Sequence, residues 1–250
     1  MKHKLTALAA SSLLASASIP AQADLFLGLY AGASAWNAGL GGDVGQTSSS
    51  ADDLGFHDDT FNSYYVAVEL FALPELKLAT TSIDTTGTAT LTSDFTLDGN
   101  TFTAGQDVVT DLDMDATDLT IYLQVLDNYL SADIGLTGRY LDGTIIATED
   151  GNPANIETVD FSALVPMAYL RARVDLPLTG WYLEADTNVI GYGGDSYSDS
   201  SAKLGWQFES VVDLGVNVGY RSMRMKVDDL DGFNADLDLS GPIATATFHF

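Results

Sequence analysis

The chain has 250 residues, 46% of them hydrophobic, no cysteine, and 35 acidic against 10 basic side chains, a formal net charge of -25. Without cysteine there is no disulfide framework, no thiolate metal site and no thiol nucleophile. Nucleic-acid phosphates are held by clustered Lys and Arg, so this excess of acid excludes nucleic-acid binding.

The first residues read as an export signal. Lys2 and Lys4 give the charged start, Leu5 to Ile19 is apolar and small, and Ala21-Gln22-Ala23 supplies a small-x-small cleavage pattern. The apolar stretch is shorter than the ~20 residues of a spanning helix, so the expectation is a signal peptide at 1–23, cleaved after Ala23, and not an anchor. Two of the ten bases lie in the signal, leaving the mature chain, Asp24 to Phe250, with a net charge of 8 − 35 = −27. It is expected to fold as one domain.

From there the hydrophobic period is two. Val212, Leu214, Val216, Val218 and Tyr220 alternate with Asp213, Gly215, Asn217 and Gly219, the pattern of a strand with one apolar and one polar face. Similar runs predict strands over Leu25 to Trp36, Phe61 to Phe71, Leu76 to Ile83, Leu119 to Leu126, Leu130 to Leu141, Phe161 to Asp175, Trp181 to Ile190, Ala202 to Phe208, Val211 to Arg221 and Leu239 to Phe250. Short connections at Pro74-Glu75, Asp127-Asn128, Pro177 to Gly180 and Glu209-Ser210 alternate with long ones that hold most of the acid, from Asp43 through Asp111, Asp113 and Asp115 to Asp236. Behind an export signal, this predicts an all-β fold: a transmembrane antiparallel up-and-down barrel of about ten strands, with long extracellular loops and short periplasmic turns. Within the connection from Asp84 to Asp118, Asp98-Gly99-Asn100 between Phe95 and Phe102 is a hairpin signal, so the flanking strands should continue upward as a ribbon. Pro166 and Pro242 fall inside predicted strands and should mark bulges or the outer rim.

Parity assigns faces. Tyr64, Val66, Leu119, Ile121, Leu123, Ile134, Leu136, Leu170, Leu183, Leu204, Trp206 and Phe248 point to lipid. The lumen receives Glu69, Lys77, Gln124, Asp133, Arg139, Arg171, Arg173, Asp175, Glu184, Asp186, Lys203, Gln207, Asp213, Asn217 and Arg221. A ten-stranded barrel holds little more than side chains. Of two readings, a selectivity ring or an internal ion-pair network, the network of Glu69, Asp133, Arg139, Arg171, Arg173, Glu184, Asp186 and Arg221 is preferred, because desolvated Arg seeks carboxylates. Arg224 and Lys226 near the outer rim are candidates for holding lipopolysaccharide phosphate.

The export signal, the alternating strands and the terminal Phe resemble small single-domain outer-membrane β-barrel proteins of Gram-negative bacteria, over the whole mature chain. Phe248 and Phe250, with Ala246, match that family's C-terminal assembly signal, while Thr245 stands where a Gly is often found. The resemblance implies residence in the outer membrane, contact with its lipid and lipopolysaccharide, and insertion by the barrel-assembly machinery with periplasmic chaperones; a monomer is expected. Barrel enzymes of that membrane use Ser with His, or Asp with His and Asp. After the signal only His57, in Phe56-His57-Asp58-Asp59, and His249 remain, and both read better as loop and rim residues, so no enzyme, catalytic residue or organic cofactor is expected. The segment from Asp228 to Asp236 spaces oxygen ligands around a Gly; a solvated acidic loop is its first reading, and weak Ca²⁺ or Mg²⁺ binding by Asp228, Asp229, Asp231 and Asp236 its second. The function expected is a non-enzymatic surface or envelope-integrity barrel with a charge-plugged lumen. A narrow channel for small or cationic solutes and an adhesin-like binder are the alternatives.

Overall fold

The computed structural model describes residues 27–44, 49–70, 74–127, 129–208, 213–230 and 233–249; the expected signal peptide and Phe250 lie outside them. The strands are β1 Leu27–Val44, β2 Ser49–Ser50, β3 Asp59–Leu70, β4 Glu75–Thr90, β5 Phe95–Leu97, β6 Asn100–Phe102, β7 Asp107–Asp127, β8 Leu130–Glu149, β9 Ile156–Asp175, β10 Trp181–Tyr192, β11 Asp195–Phe208, β12 Asp213–Leu230 and β13 Phe233–His249. Ten of them form one antiparallel wall in the order β1, β3, β4, β7, β8, β9, β10, β11, β12, β13. Pairing of β13 onto β1, from Tyr30↔His249 to Val44↔Ala235, closes the ring. The architecture is an all-β, closed, up-and-down barrel.

Both faces of the wall change chemistry at one height. On β7 the outward residues run Asp107, Val109, Asp111, Asp113, Asp115, Thr117 and then Leu119, Ile121, Leu123, Val125, while the inward ones run Val108, Thr110, Leu112, Met114, Ala116 and then Asp118, Thr120, Tyr122. Near the short turns the barrel is apolar outside and polar inside. Beyond Asp118 it is acidic outside and apolar inside, as a water-soluble barrel would be. The exchange of faces falls after Tyr140 on β8 and after Tyr220 on β12 as well, although on β12 the outer residues beyond it are Ser222, Arg224 and Lys226.

The lower storey carries an exposed apolar belt: Leu119, Ile121 and Leu123 on β7, Ile134 and Leu136 on β8, Leu170 on β9, Leu183 on β10, Leu204 on β11, and Val216 and Val218 on β12. From Leu130 to Tyr140 the belt covers ten residue steps; at ~3.3 Å each and a tilt of ~40°, it stands roughly 25 Å high. Exposed aromatic rings stand at both margins, with Trp181, Trp206, Phe208 and Phe248 toward the short turns and Tyr64, Tyr140 and Tyr220 at the switch.

The upper storey replaces most of what the sequence reads as long loops. β4 and β7 stay in register from Glu75↔Tyr122 to Thr90↔Asp107, and β8 and β9 from Leu130↔Val174 to Thr148↔Ile156. Most of their acid therefore stands on the outer face of strands and not in irregular loops, because alternation continues past the point where the polarity of each face exchanges. The ribbon over Asp84 to Asp118 forms as expected. At its tip β5 and β6 make the hairpin, with positive φ at Asp98 (43°) and Gly99 (85°). Its Phe95, Leu97 and Phe102 are fully buried with Trp36, Leu54, Ile83, Leu112 and Leu239, so the hairpin folds inward and fills the upper storey. Neither proline makes a bulge. Pro166 pairs in register with Gly138, and Pro242 lies where the β1–β13 ladder skips from Trp36↔Ile243 to Gly39↔Ser240 without a change of register.

Candidate functional site: a charge layer across the lumen

Where the interior changes from polar to apolar, four charges form a layer. Arg139 on β8 is 1% exposed. Its guanidinium donates to both oxygens of Asp118 on β7 at 2.6 Å, to Asp199 on β11 at 2.7 Å and to the Tyr197 hydroxyl at 2.8 Å. Arg221 on β12 donates to both oxygens of the same Asp199, at 2.9 and 2.7 Å, and reaches across to Ser63 on β3 and Thr81 on β4, each at 3.2 Å. Its guanidinium carbon lies 4.5 Å above the Trp36 ring on β1. Two guanidinium groups meet two carboxylates, so the layer is neutral. Bidentate geometry satisfies most of the fixed donor fork of each Arg, which is the condition under which a buried pair recovers its desolvation cost. Strands on opposite sides of the ring are tied through one aspartate.

Below lies a cavity of about 190 Å³ whose lining includes Tyr30, Tyr65, Tyr122, Tyr169, Tyr182 and Lys77. A second cluster crosses it: Arg171 donates to Glu184 at 2.8 Å and to Asp133 at 2.8 Å, and Lys203 to Asp186 at 2.8 Å. Arg173 bonds Asp175 and Gln207 and stacks 3.8 Å over the Tyr182 ring. Lys77 sits 5.1 Å over the Tyr65 ring and 5.9 Å over that of Tyr169. Glycines make room for these large groups. A Cβ on Gly205 would fall 2.1 Å from the Tyr182 ring and one on Gly32 2.2 Å from that of Tyr65.

All eight residues expected in the lumen network face inward, but they do not pair with one another alone. Arg139 and Arg221 take Asp118 and Asp199, the first at the edge of a predicted strand and the second in a predicted loop. Glu69 accepts a hydrogen bond from the Tyr30 hydroxyl at 3.1 Å and has no ion pair among the described residues. Parity could have found the missing partners, since Asp118 alternates with Leu119 and Asp199 lies two steps of two from Lys203. Gln124 is exposed beside a register shift between Gln124 and Leu126, and so does not face the lumen as expected.

The remaining candidates stay apart from the layer. His249 stacks on Tyr30 with ring centroids 4.1 Å apart and lies 3.4 Å from an Asp213 oxygen. His57 is exposed, with Nδ1 2.7 Å from the Gly55 carbonyl. Arg224 is bonded to Asp238 at 2.6 Å, while Lys226 is exposed in register with Asp236. Asp236 is exposed on β13, whereas the side chains of Asp228, Asp229 and Asp231 lie outside the described residues. Phe248 stands on the outer face of the closing strand between Ala31 and Leu214.

No family model matches the chain, and no curated protein does. Among solved structures it is similar to a Pseudomonas aeruginosa FadL homologue, with 7% identity over 90% of each chain and a TM-score of 0.36. It is also similar to the toluene transporter TodX of P. putida, with 8% identity over 93% of this chain and 92% of that one and a TM-score of 0.34. The toluene transporter TbuX of Ralstonia pickettii follows at 6% identity, 90% and 89% coverage and a TM-score of 0.20. At these identities no residue carries across.

Proposed function

We propose that the chain is a non-enzymatic, integral outer-membrane barrel whose lumen is closed and whose acidic upper storey stands outside the cell in a surface or envelope role. Membrane placement rests on the exposed belt, its two aromatic margins and a height near that of an outer-membrane apolar band. One observation carries the closed reading: the Arg139, Asp118, Asp199 and Arg221 layer crosses the lumen directly beneath a packed apolar storey. An ion entering from the short-turn end meets a neutral layer with its donors spent, and above it, among the described residues, a packed storey that is mostly hydrocarbon. Lipid and lipopolysaccharide are the proposed neighbours of the belt and its upper margin, and the outward Phe248 agrees with a closing strand read by an assembly machinery.

Planar-bilayer recording of the purified protein tests the reading. Silence across a range of voltages is the expected result. Reproducible single-channel steps would overturn it in favour of a narrow channel.

A further inference from the structure

The upper storey has a gap in its wall. The β9–β10 ladder ends at Val189↔Ala168, and the β10–β11 hairpin turns just beyond, at Gly193 and Gly194. β9 continues to Ile156, held on its other side by β8 as far as Thr148↔Ile156. Residues 156–167 of β9 are therefore an edge without a neighbouring strand among the described residues.

The polarity of that edge follows from two bonds. The Asp175 amide donates to Tyr129 on the β8 side, and the Leu176 amide to Trp181 on the β10 side. Amide and carbonyl of one residue point the same way in an antiparallel strand, and the direction alternates. In β9 the even-numbered residues thus face the gap, and Asp160, Ser162 and Leu164 each present an amide and a carbonyl there. Pro166 shares this parity, which is how a proline fits within β9 without breaking the β8 ladder.

Side chains around the gap point to what would fill it. Of the five half-buried apolar residues packed on the buried core, Val159, Phe161 and Val165 lie on this stretch of β9 and Ile190 one step past the last β9–β10 pair, while Met225 lies on β12 beside Tyr197 of β11. Outward here stand Asp160 on β9 and Asp142 on β8, the latter in register with Ser162, while Glu157, in register with the buried Ala147, shares the inward parity of Val159 and Phe161. No Lys or Arg occurs from residue 140 to 170 or from 174 to 202. The nearest bases on the far side, Lys226 and Arg224, stand on β12 where it is paired with β11, the latter bonded to Asp238, so the acid belongs to the β9 side.

We infer that the free edge of β9 is a docking site for an extended cationic peptide of another protein, which adds as a strand with apolar residues turned in and Lys or Arg turned out. The backbone supplies the ladder, the half-buried apolar row the inner contacts, and the acid the preference for basic residues. A second copy of this chain is a poor occupant, because both edges carry the same acid. The inference rests on the upper storey standing clear of the bilayer.

The test uses the full-length mature protein in detergent micelles and a short fluorescein-labelled peptide of alternating valine and lysine, followed by anisotropy. Saturable binding is expected, weakened by about tenfold or more in Ser162→Pro, which removes one edge amide outside the β8 ladder. The same loss is expected, with the unaltered protein, for a peptide N-methylated on alternate residues, so the inference does not hang on whether the variant folds. A valine–glutamate peptide should bind far more weakly. Equal binding of the N-methylated peptide, or none of the parent at millimolar concentration, would overturn the inference. A dimer in analytical ultracentrifugation that Ser162→Pro dissolves would assign the edge to a second copy and overturn it too. Conductance does not enter, so failure here is separable from failure of the closed-lumen reading.

Discussion

At the scale of single residues, Asp199 is the hinge of the lumen, because one of its oxygens accepts from both Arg139 and Arg221 at 2.7 Å. Removing a partner leaves the rest charged and desolvated. Arg139→Ala should cost about 3–5 kcal/mol, read as a lower denaturant midpoint in micelles. Arg139→Lys should recover only part of it, since a single ammonium cannot span both Asp118 oxygens and Tyr197. Equal stability of Arg139→Ala and the unaltered protein would mean that the layer is wet. That Arg139 faces inward was legible, because a cation in a run of outward Ile134, Leu136 and Tyr140 has only one other side to occupy. Its partner was harder to read: Asp118 ends a run of aspartates, and solvated Asp111, Asp113 and Asp115 look the same in composition. Only parity distinguishes them.

Among the elements, the β5–β6 hairpin shows how far turn chemistry reaches. Asp98-Gly99 declares the turn, since both residues need the left-handed backbone that Gly accepts and Asp tolerates. What the turn does not declare is direction. The hairpin folds inward because the outer faces of β4 and β7 are acidic and hydroxylic there, while Ile83, Leu112 and Val108 offer the inner face apolar contact. Phe102 is fully buried, so Phe102→Ala should cost on the order of 3–5 kcal/mol locally. The expected sign is faster protease cutting between residues 91 and 106, with the barrel itself still resisting detergent. Unchanged cutting would place the hairpin's anchoring elsewhere, in Phe95 and Leu97.

For the molecule as a whole, the closed ladder and the belt were legible because a period of two with one apolar face has few other meanings once it repeats around a ring. Unheated protein should migrate differently from boiled protein on detergent gels. A single band under both conditions would contradict a closed barrel. The two-storey interior was not legible in the same way, since each storey alone reads as ordinary alternation and only their juxtaposition shows the exchange of faces. The acid of the upper storey gives a further expectation. At low ionic strength like charges should spread the hairpin tips, and millimolar Ca²⁺ should draw them together through shared carboxylate oxygens. Slower proteolysis of the 226–238 segment with Ca²⁺ than with chelator, at matched ionic strength, is the outcome to look for; identical rates would leave the acid a solvating role alone.

The exchange of faces along each strand also sets the kinetics of getting in and out. In the membrane setting proposed above, the hairpin between β4 and β7 must carry Asp107, Asp111, Asp113 and Asp115 through hydrocarbon to reach the far side, and each charge costs a few kcal/mol at mid-depth, ~2.5–3.5 on insertion scales. Once across, the same aspartates act as barbs against withdrawal, and burial of the hairpin behind them sets the catch. Unassisted insertion into lipid vesicles should therefore be slow, and Asp111→Asn with Asp113→Asn and Asp115→Asn should speed both entry and escape while the folded barrel keeps its form. Such a molecule owes its permanence in the membrane to a rate as much as to an equilibrium.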